Sequence, residues 1–247
     1  QLSVFEICLF VTLLEWQFDN FNLPRDLIAP AFSSIAQPLQ AKWELHFSDS
    51  IPRIAIFVSK QEHCLLDLLW RHRAKEFVAE IPVIISNHPN LKDITEQFDI
   101  DFHHIPITKA TKIDQEKILL ELVDKYNIDL VVLAKYMQIL SNDFVAQFPQ
   151  IINIHHSFLP AFIGANPYHK AYERGVKIIG ATSHYVTADL DAGPIIEQDV
   201  VKISHRDNVV DLIRKGKDLE RIVLARAVRL HLNNRDLVYG NRNVVFE

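Results

Sequence analysis

The sequence predicts an α/β fold built on a mainly parallel, doubly wound sheet, with a smaller α+β module in front of it. Three observations carry the prediction. Ile54 to Ser59, IAIFVS, is a continuous apolar run, as strands buried on both faces require. After it, short apolar runs alternate with amphipathic stretches, the rhythm of a parallel sheet crossed by helices. Before it, about 50 residues hold a strand, helix, strand order that buries too little surface to offset chain entropy unaided. The boundary falls in the polar break from Ser48 to Arg53, so residues 1–49 and 50–247 are expected to form separate domains.

Each element follows from its local pattern. Phe10 to Phe18 is rich in β-branched and aromatic residues and reads as a strand, Asn20 to Pro24 as a turn, Arg25 to Leu39 as an amphipathic helix, and Lys42 to Phe47 as a short strand. The second domain runs on from Ile54 with a helix from His63 to Ala79, a strand from Ile81 to Ser86 and a helix from Leu91 to Phe98. A short strand near His103 to Ile105, a helix from Asp114 to Tyr126 and a strand from Leu130 to Ala134 continue the alternation. Ile151 to Ile154 and Ile178 to Val186 supply further strands, and Asp207 to Leu232 makes a long amphipathic helix.

Composition excludes several classes. A formal charge of −5 argues against a nucleic-acid partner, whose phosphates demand clustered Lys and Arg. The two cysteines, Cys8 and Cys64, stand far apart, so neither a disulfide framework nor a zinc knuckle is indicated and a reducing cytoplasm is expected. Ile7 to Leu14, bounded by Glu6 and Glu15, is too short to span a bilayer and lacks the basic flank of a signal peptide. The chain opens on Gln rather than Met, so the natural N-terminus is expected to lie upstream. All six glycines fall at or after Gly164, leaving the turn Ser59-Lys60-Gln61-Glu62-His63-Cys64 without one. A dinucleotide fingerprint or a P-loop needs glycines there to bring backbone N–H groups to a phosphate, so both are excluded.

The residues able to carry chemistry gather in two places. In IINIHHSFLP, residues 151–160, Asn153 and His155 interrupt an apolar strand at alternate positions, which aims both at one face near its C-terminal end. Open parallel sheets bind ligands there, although a hydrogen-bonded core pair accounts for the pattern equally well. In GATSHYVTADLDAGPIIEQ, residues 180–198, a β run breaks into a polar loop that holds Asp189 and Asp191. Asp189 reads as a turn cap; Asp191 stays open. His103 and His104 do not make a metal pair, because neighbouring strand residues face opposite ways and no third ligand is close in sequence.

The strings NIHHSFLP and HYVTADLDAGPII resemble the Asn-x-His and Leu-Asp-x-Gly-Pro signatures of the folate-dependent formyltransferase superfamily. Within it, VSKQEHCLLDLLWR at 58–71, FIGANPYHKAYERGVKIIGAT at 162–182 and SHRDNVVDLIRKGKDLER at 204–221 are most similar to the formyltetrahydrofolate deformylases. The likeness covers residues 51–247. The stretch before it, ending in WELHF, is similar to the tail of an ACT domain, although the first strand and helix of that domain are not evident.

The resemblance implies a Rossmann-like formyltransferase domain behind a partial ACT-like domain, and hydrolysis of 10-formyltetrahydrofolate with no metal and no cofactor beyond the folate substrate. It makes Asn153, His155 and Asp191 the catalytic groups: an amide and an imidazole on the formyl oxygen and the departing N10, and a carboxylate that orients or deprotonates water. A carboxylate at its reference pKa of about 3.9 is a feeble base, so partial desolvation with a raised pKa is expected for Asp191. Folate-binding positions implied by the likeness are Met137, Leu140, Val186, Thr187, Asp189, Leu190 and Gly193, of which Met137 and Leu140 fit a core role by spacing. His156 and His184 are candidates to stand just behind the catalytic groups, with a packed structural role open for each.

An amino-acid effector at the ACT-like domain, a homo-oligomer favoured by its exposed sheet edge, no membrane partner and a place in the one-carbon supply to purine synthesis complete the expectations. Two other readings share the same residues. A transferase passing the formyl group to an amine would use the same three side chains, and the glycine-free turn and low positive charge speak against it. A folate-binding module without catalysis gives no reason to gather an amide, an imidazole and a carboxylate.

Overall fold

The computed structural model describes residues 10–18, 21–161 and 166–246. The chain divides into two compact units, at Ser50 and Ile51.

In the first unit, helix α1 spans Arg25–Ala36 and closes with a 3-10 turn at Gln37–Leu39, the extent expected from its amphipathic pattern. The two flanking strands do not form. Residues 10–18 and 42–47 run without ladder hydrogen bonds, because a strand needs a partner edge and the described part of this unit offers none. Aromatic contacts hold these segments instead. Phe32 meets Trp43 edge-on at 5.0 Å, Phe18 stacks on Phe47 at 6.0 Å, and the Arg25 guanidinium lies 3.9 Å over the Phe47 ring while its Nη2 donates to Asp49 at 2.7 Å.

The second unit is a seven-stranded sheet. In chain order it is built from β1 (Arg53–Val58), α2 (His63–Arg73), β2 (Glu80–Ser86), α3 (Lys92–Glu96), β3 (Asp101–His104), α4 (Lys112–Lys125), β4 (Leu130–Leu133) and α5 (Asn142–Gln147). There follow β5 (Ile151–His155), α6 (Pro167–Arg174), β6 (Ile178–Tyr185), β7 (Ile195–Lys202), α7 (Val209–Leu232) and a hairpin of β8 (Asp236–Tyr239) and β9 (Arg242–Val245). The sheet order is β3-β2-β1-β4-β5-β6-β7. Strands β3 to β5 pair in parallel, and β6 and β7 add antiparallel edges.

The central strands are apolar throughout because both faces are covered. Ile54, Ile56, Val58, Ile152 and Ile154 pack against α2 and α7 on one side, with Leu65, Leu69, Val223 and Leu224. Ala55, Phe57, Val131, Leu133 and Ile151 pack against α4 and α5 on the other, with Leu119 and Phe144. Helix α7 starts at a capping box, in which Asn208 accepts from the backbone of Val210 and Asp211 and the Asp211 carboxylate accepts from the Asn208 N–H.

Some boundaries depart from the sequence expectation. Helix α2 stops at Arg73 rather than Ala79, since Lys75 turns left-handed at φ 61 and the Glu76 N–H reaches back to the Arg71 carbonyl. Phe77 and Ala79, which prolonged the apolar pattern, are buried in the core from the turn and bend that lead into β2. Helices α5 and α6 and the β8–β9 hairpin are short elements without a long enough period to announce themselves. Among the described residues no helix is long and apolar enough to cross a membrane. Cys8 and residues 162–165 of the FIGANP stretch lie outside the described residues.

Candidate active site

Strand β5 carries Asn153 and His155 two residues apart, so both side chains face away from Ile152 and Ile154, which pack beneath α7. Strand β6 runs antiparallel beside it and pairs His184 with Asn153 and Thr182 with His155. Directly opposed residues in antiparallel strands share a face, so register alone brings His184 to Asn153. Thr182 secures the turn after His155. Its hydroxyl donates to the Ser157 carbonyl at 2.8 Å and accepts from the Leu159 N–H at 3.0 Å and from Gln198 at 2.8 Å.

The loop between β6 and β7 returns a carboxylate to this point. Its base is pinched where the Tyr185 N–H donates to the Pro194 carbonyl and the Val186 N–H to the Ile151 carbonyl, both at 2.9 Å. Gly193 permits that closure: a Cβ there would stand 1.9 Å from the Tyr185 carbonyl oxygen. At the loop's turn Asp191 adopts φ 54, a left-handed conformation that Asp tolerates better than most residues with a Cβ.

The assembled geometry is compact. Asp191 Oδ2 lies 3.3 Å from His155 Nδ1, and Asp191 Oδ1 lies 3.7 Å from His184 Nε2. His184 Nδ1 sits 2.8 Å from the Tyr185 carbonyl; a carbonyl only accepts, so Nδ1 carries a proton. Asn153 Nδ2 then donates to His184 Nε2 at 3.2 Å, which fixes the orientation of the amide and leaves its second N–H for another acceptor. Nε2 of His155 is buried and has no hydrogen-bond partner among the described residues. A buried polar atom without a partner is costly, and this one belongs to the imidazole whose Nδ1 meets Asp191, on the strand face that Asn153 shares.

Asp191 does not behave as the sequence reading expected. The hydrogen bond with His155 first and the neighbouring His184 imidazole second outweigh its burial and hold its carboxyl well below the usual range, rather than raising it. The expectation counted desolvation alone, whereas the loop sets the carboxylate between two imidazoles. Asp191 is therefore an ionised anchor for the histidines before it is a base.

The other expected positions are spread around this centre. Val186 is half-buried against the α4–α5 side of the core. Thr187 donates through Oγ1 to the Asp189 carbonyl at 3.1 Å, and the Ala192 N–H reaches the same carbonyl, so Asp189 is a turn residue whose side chain is exposed. Met137 and Leu190 are exposed apolar side chains at 59% each, free to meet a flat ligand. Leu140 is buried in the apolar cluster with Leu133 and Phe144, so a packing role accounts for it. The Met137 N–H donates to Ser59 Oγ at 2.9 Å, which ties the loop after β4 to the end of β1. His156 stacks on His155, ring centroids 4.8 Å apart at 16°.

Sequence reasoning missed one buried group of side chains next to His156. Lys135 and Glu220 form an ion pair at 3.3 Å, joined by His63 and Tyr168. Two signals pointed there: a lysine inside the apolar run AKYMQIL, and a glutamate on the apolar face of α7 between Leu219 and Val223.

An amide donor, an imidazole with a bare buried nitrogen and an ionised carboxylate at the rim of a parallel sheet are equipment for attack on a small carbonyl group. Residues 52–228 match the model of the formyl transferase family. The chain belongs to that family. Among its relatives, a formyltetrahydrofolate deformylase from Synechocystis is 68% identical over 246 residues, which span all of this chain and 87% of the relative. The crystal structure of a formyltetrahydrofolate deformylase from Pseudomonas syringae pv. tomato superimposes with a TM-score of 0.89 at 46% identity, covering 93% of this chain and 77% of that one. A glycinamide ribonucleotide transformylase from Symbiobacterium toebii shares the fold at a TM-score of 0.75 and 32% identity, covering 83% and 99%. Within the family the chain stands with the deformylases.

Proposed function

We propose that this enzyme hydrolyses 10-formyltetrahydrofolate to tetrahydrofolate and formate, with Asn153, His155 and Asp191 as the catalytic groups. The observation that carries the reading is the buried, unpartnered Nε2 of His155, whose ring is held by a carboxylate on its other nitrogen and shares a strand face with the fixed amide of Asn153. Formamide hydrolysis needs a nucleophilic water, stabilisation of the developing oxyanion and a proton for the departing nitrogen. The free N–H of Asn153 serves the formyl oxygen, and Nε2 of His155, left as an acceptor by the proton on Nδ1, faces the attacking water. Asp191, ionised, keeps a proton on His155 Nδ1 and accepts a hydrogen bond from the attacking water.

The water oxygen bonds to the formyl carbon, the carbon–N10 bond breaks, and one water proton passes by way of His155 to N10. The other leaves with formic acid, which ionises to formate. These three side chains supply the polarisation and the proton path themselves, so turnover is expected to withstand a chelator. Met137, Val186, Thr187, Leu190 and Gly193 frame the folate in this reading.

The remaining parts rest on the family likeness. The tetrahydrofolate and formate released balance the one-carbon supply to purine synthesis in the cytoplasm. The first unit is an ACT-like regulatory module, with an amino acid as effector and self-association through its apolar surface.

Reaction in 18O-water tests the chemistry. One labelled oxygen in every formate, with tetrahydrofolate formed in equal amount and no added amine or metal, is the expected result. Unlabelled formate, or release that waits on an amine, would refute the hydrolase.

A further inference from the structure

A buried ionic cluster lies against the site, and the hydrolysis described above gives it no task. Lys135 Nζ stands 3.3 Å from Glu220 Oε2 and 3.2 Å from His156 Nδ1. His63 Nε2 is 2.7 Å from Glu220 Oε2, and the Tyr168 hydroxyl donates to Glu220 Oε1 at 2.7 Å. Lys135 is 5% exposed and Glu220 1%. The cluster draws on five separate elements: the segments after β1, β4 and β5, helix α6 and helix α7.

Its place in the topology matters. From β1 the sheet winds one way, to β2 and β3, and from β4 it winds the other way, to β5. The crevice beyond the C-terminal ends of β1 and β4 is thus the switch point where open sheets of this kind take their ligands. Lys135 is the second residue after β4 and His63 opens the helix after β1, so both stand in that crevice. His156 connects it to the catalytic centre, because its ring stacks directly on His155.

The fold accepts costs to keep the crevice occupied. Lys135 holds φ 64, a left-handed backbone that a residue with a Cβ rarely adopts. In α7, Gly216 leaves the room through which Tyr168 reaches Glu220; a Cβ at that position would lie 2.1 Å from the Tyr168 hydroxyl. Burial works against the Glu220 charge, but Lys135, His63 and Tyr168 overcome it and hold the carboxyl at about 2.

The cluster is not arranged as a metal cage. His63, Cys64 and Glu220 offer donor atoms within 4.8 Å of one another, yet the Lys135 ammonium already sits on Glu220, and burial pushes the Cys64 thiol far from its thiolate form. Nor is it a free anion site, since the lysine's charge is consumed by Glu220.

We propose that this cluster is a resident stopper: Lys135, Glu220 and His156, backed by His63 and Tyr168, fill the space beside the formyl carbon that an amine acceptor would need, leaving water as the acceptor. The inference rests on the hydrolase reading and names what restricts its acceptor. The transformylase relative shares the fold and, by its name, serves an acceptor far larger than water, so the scaffold itself does not forbid one. In a transfer, the amine nitrogen would bond to the formyl carbon, the carbon–N10 bond would break, and a proton would move from the amine to N10.

The test follows 10-formyltetrahydrofolate with the full chain and excess glycinamide, reading formate and N-formylglycinamide by mass spectrometry. Wild type is expected to give formate alone. Lys135→Gly suits the left-handed backbone and empties the crevice, and should raise the formylated amine about tenfold or more over the wild-type background, the discrimination a single filled cavity supplies. Lys135→Met keeps the volume and removes the charge, and should stay at background. A folded, hydrolysing Lys135→Gly protein that makes no more formylated amine than wild type overturns the stopper, as does a Lys135→Met protein that makes as much as Lys135→Gly. Should Lys135→Gly not fold, His156→Ala opens the same space without breaking the ion pair and carries the same two outcomes. Wild type that formylates glycinamide and releases no formate would overturn the hydrolase reading instead.

Discussion

Asp191 defines the site's electrostatics at the scale of single residues. Its carboxyl is held down by two imidazoles, so it stays ionised through the neutral range and far into acid. The rate should accordingly show no acid limb attributable to Asp191 above its ordinary value of 3.8, and a pH–rate profile that loses its low-pH limb on replacement of Asp191 would contradict this. In the proposed mechanism Asn153 supplies an oxyanion donor, so Asn153→Ala should lower kcat on the order of 100- to 1000-fold with little change in folding, as steady-state kinetics beside circular dichroism would show. The alternation of Asn153 and His155 in a strand was legible because side-chain period and strand period coincide. The sign of the Asp191 shift was not, because it depends on how many donors the folded loop delivers, and sequence spacing does not count them.

Loop closure is the decisive feature at the scale of elements. The turn between β6 and β7 carries Asp191 only because Gly193 lies against the Tyr185 carbonyl. Gly193→Ala should therefore displace the loop, costing about 1–3 kcal/mol of stability by overpacking and most of the activity, as thermal melts and formate assays would show. A variant with wild-type melting and turnover would show the loop to be more yielding than its geometry implies. The long periodic elements, α4, α7 and the buried strands, were plain in the sequence. The strands expected at 10–18 and 42–47 were not formed, because β-propensity describes fit to a sheet and no partner edge exists for them among the described residues. The short α5 and α6 escaped notice for want of a full amphipathic period.

Fold, stability and acceptor choice meet at the Lys135–Glu220 pair when the whole molecule is considered. Removing one partner of a buried pair leaves the other uncompensated, so Glu220→Gln should cost about 3–5 kcal/mol in denaturant unfolding. The Glu220 carboxyl lies at about 2 in the folded protein against an ordinary 4.5. Its stabilisation is thus complete above 4.5 and is lost as the pH falls toward 2, and Asp191 acts in the same direction. Wild-type melting temperature should fall across that window, and Glu220→Gln should show a shallower dependence. A lysine in an apolar run and a glutamate on the apolar face of α7 marked the two residues in sequence, but not their meeting, since the five contributing elements come together only through the topology of the sheet.

The central claim is that the carboxylate at Asp191, bound to His155, makes water attack the formyl group. The most direct measurement is formate release from 10-formyltetrahydrofolate, without an amine and with excess chelator, by wild type and Asp191→Asn. Release by wild type together with a loss of roughly 100- to 10,000-fold in the variant is the predicted result. Near wild-type release by a folded Asp191→Asn protein would contradict the account and remove Asp191 from the chemistry.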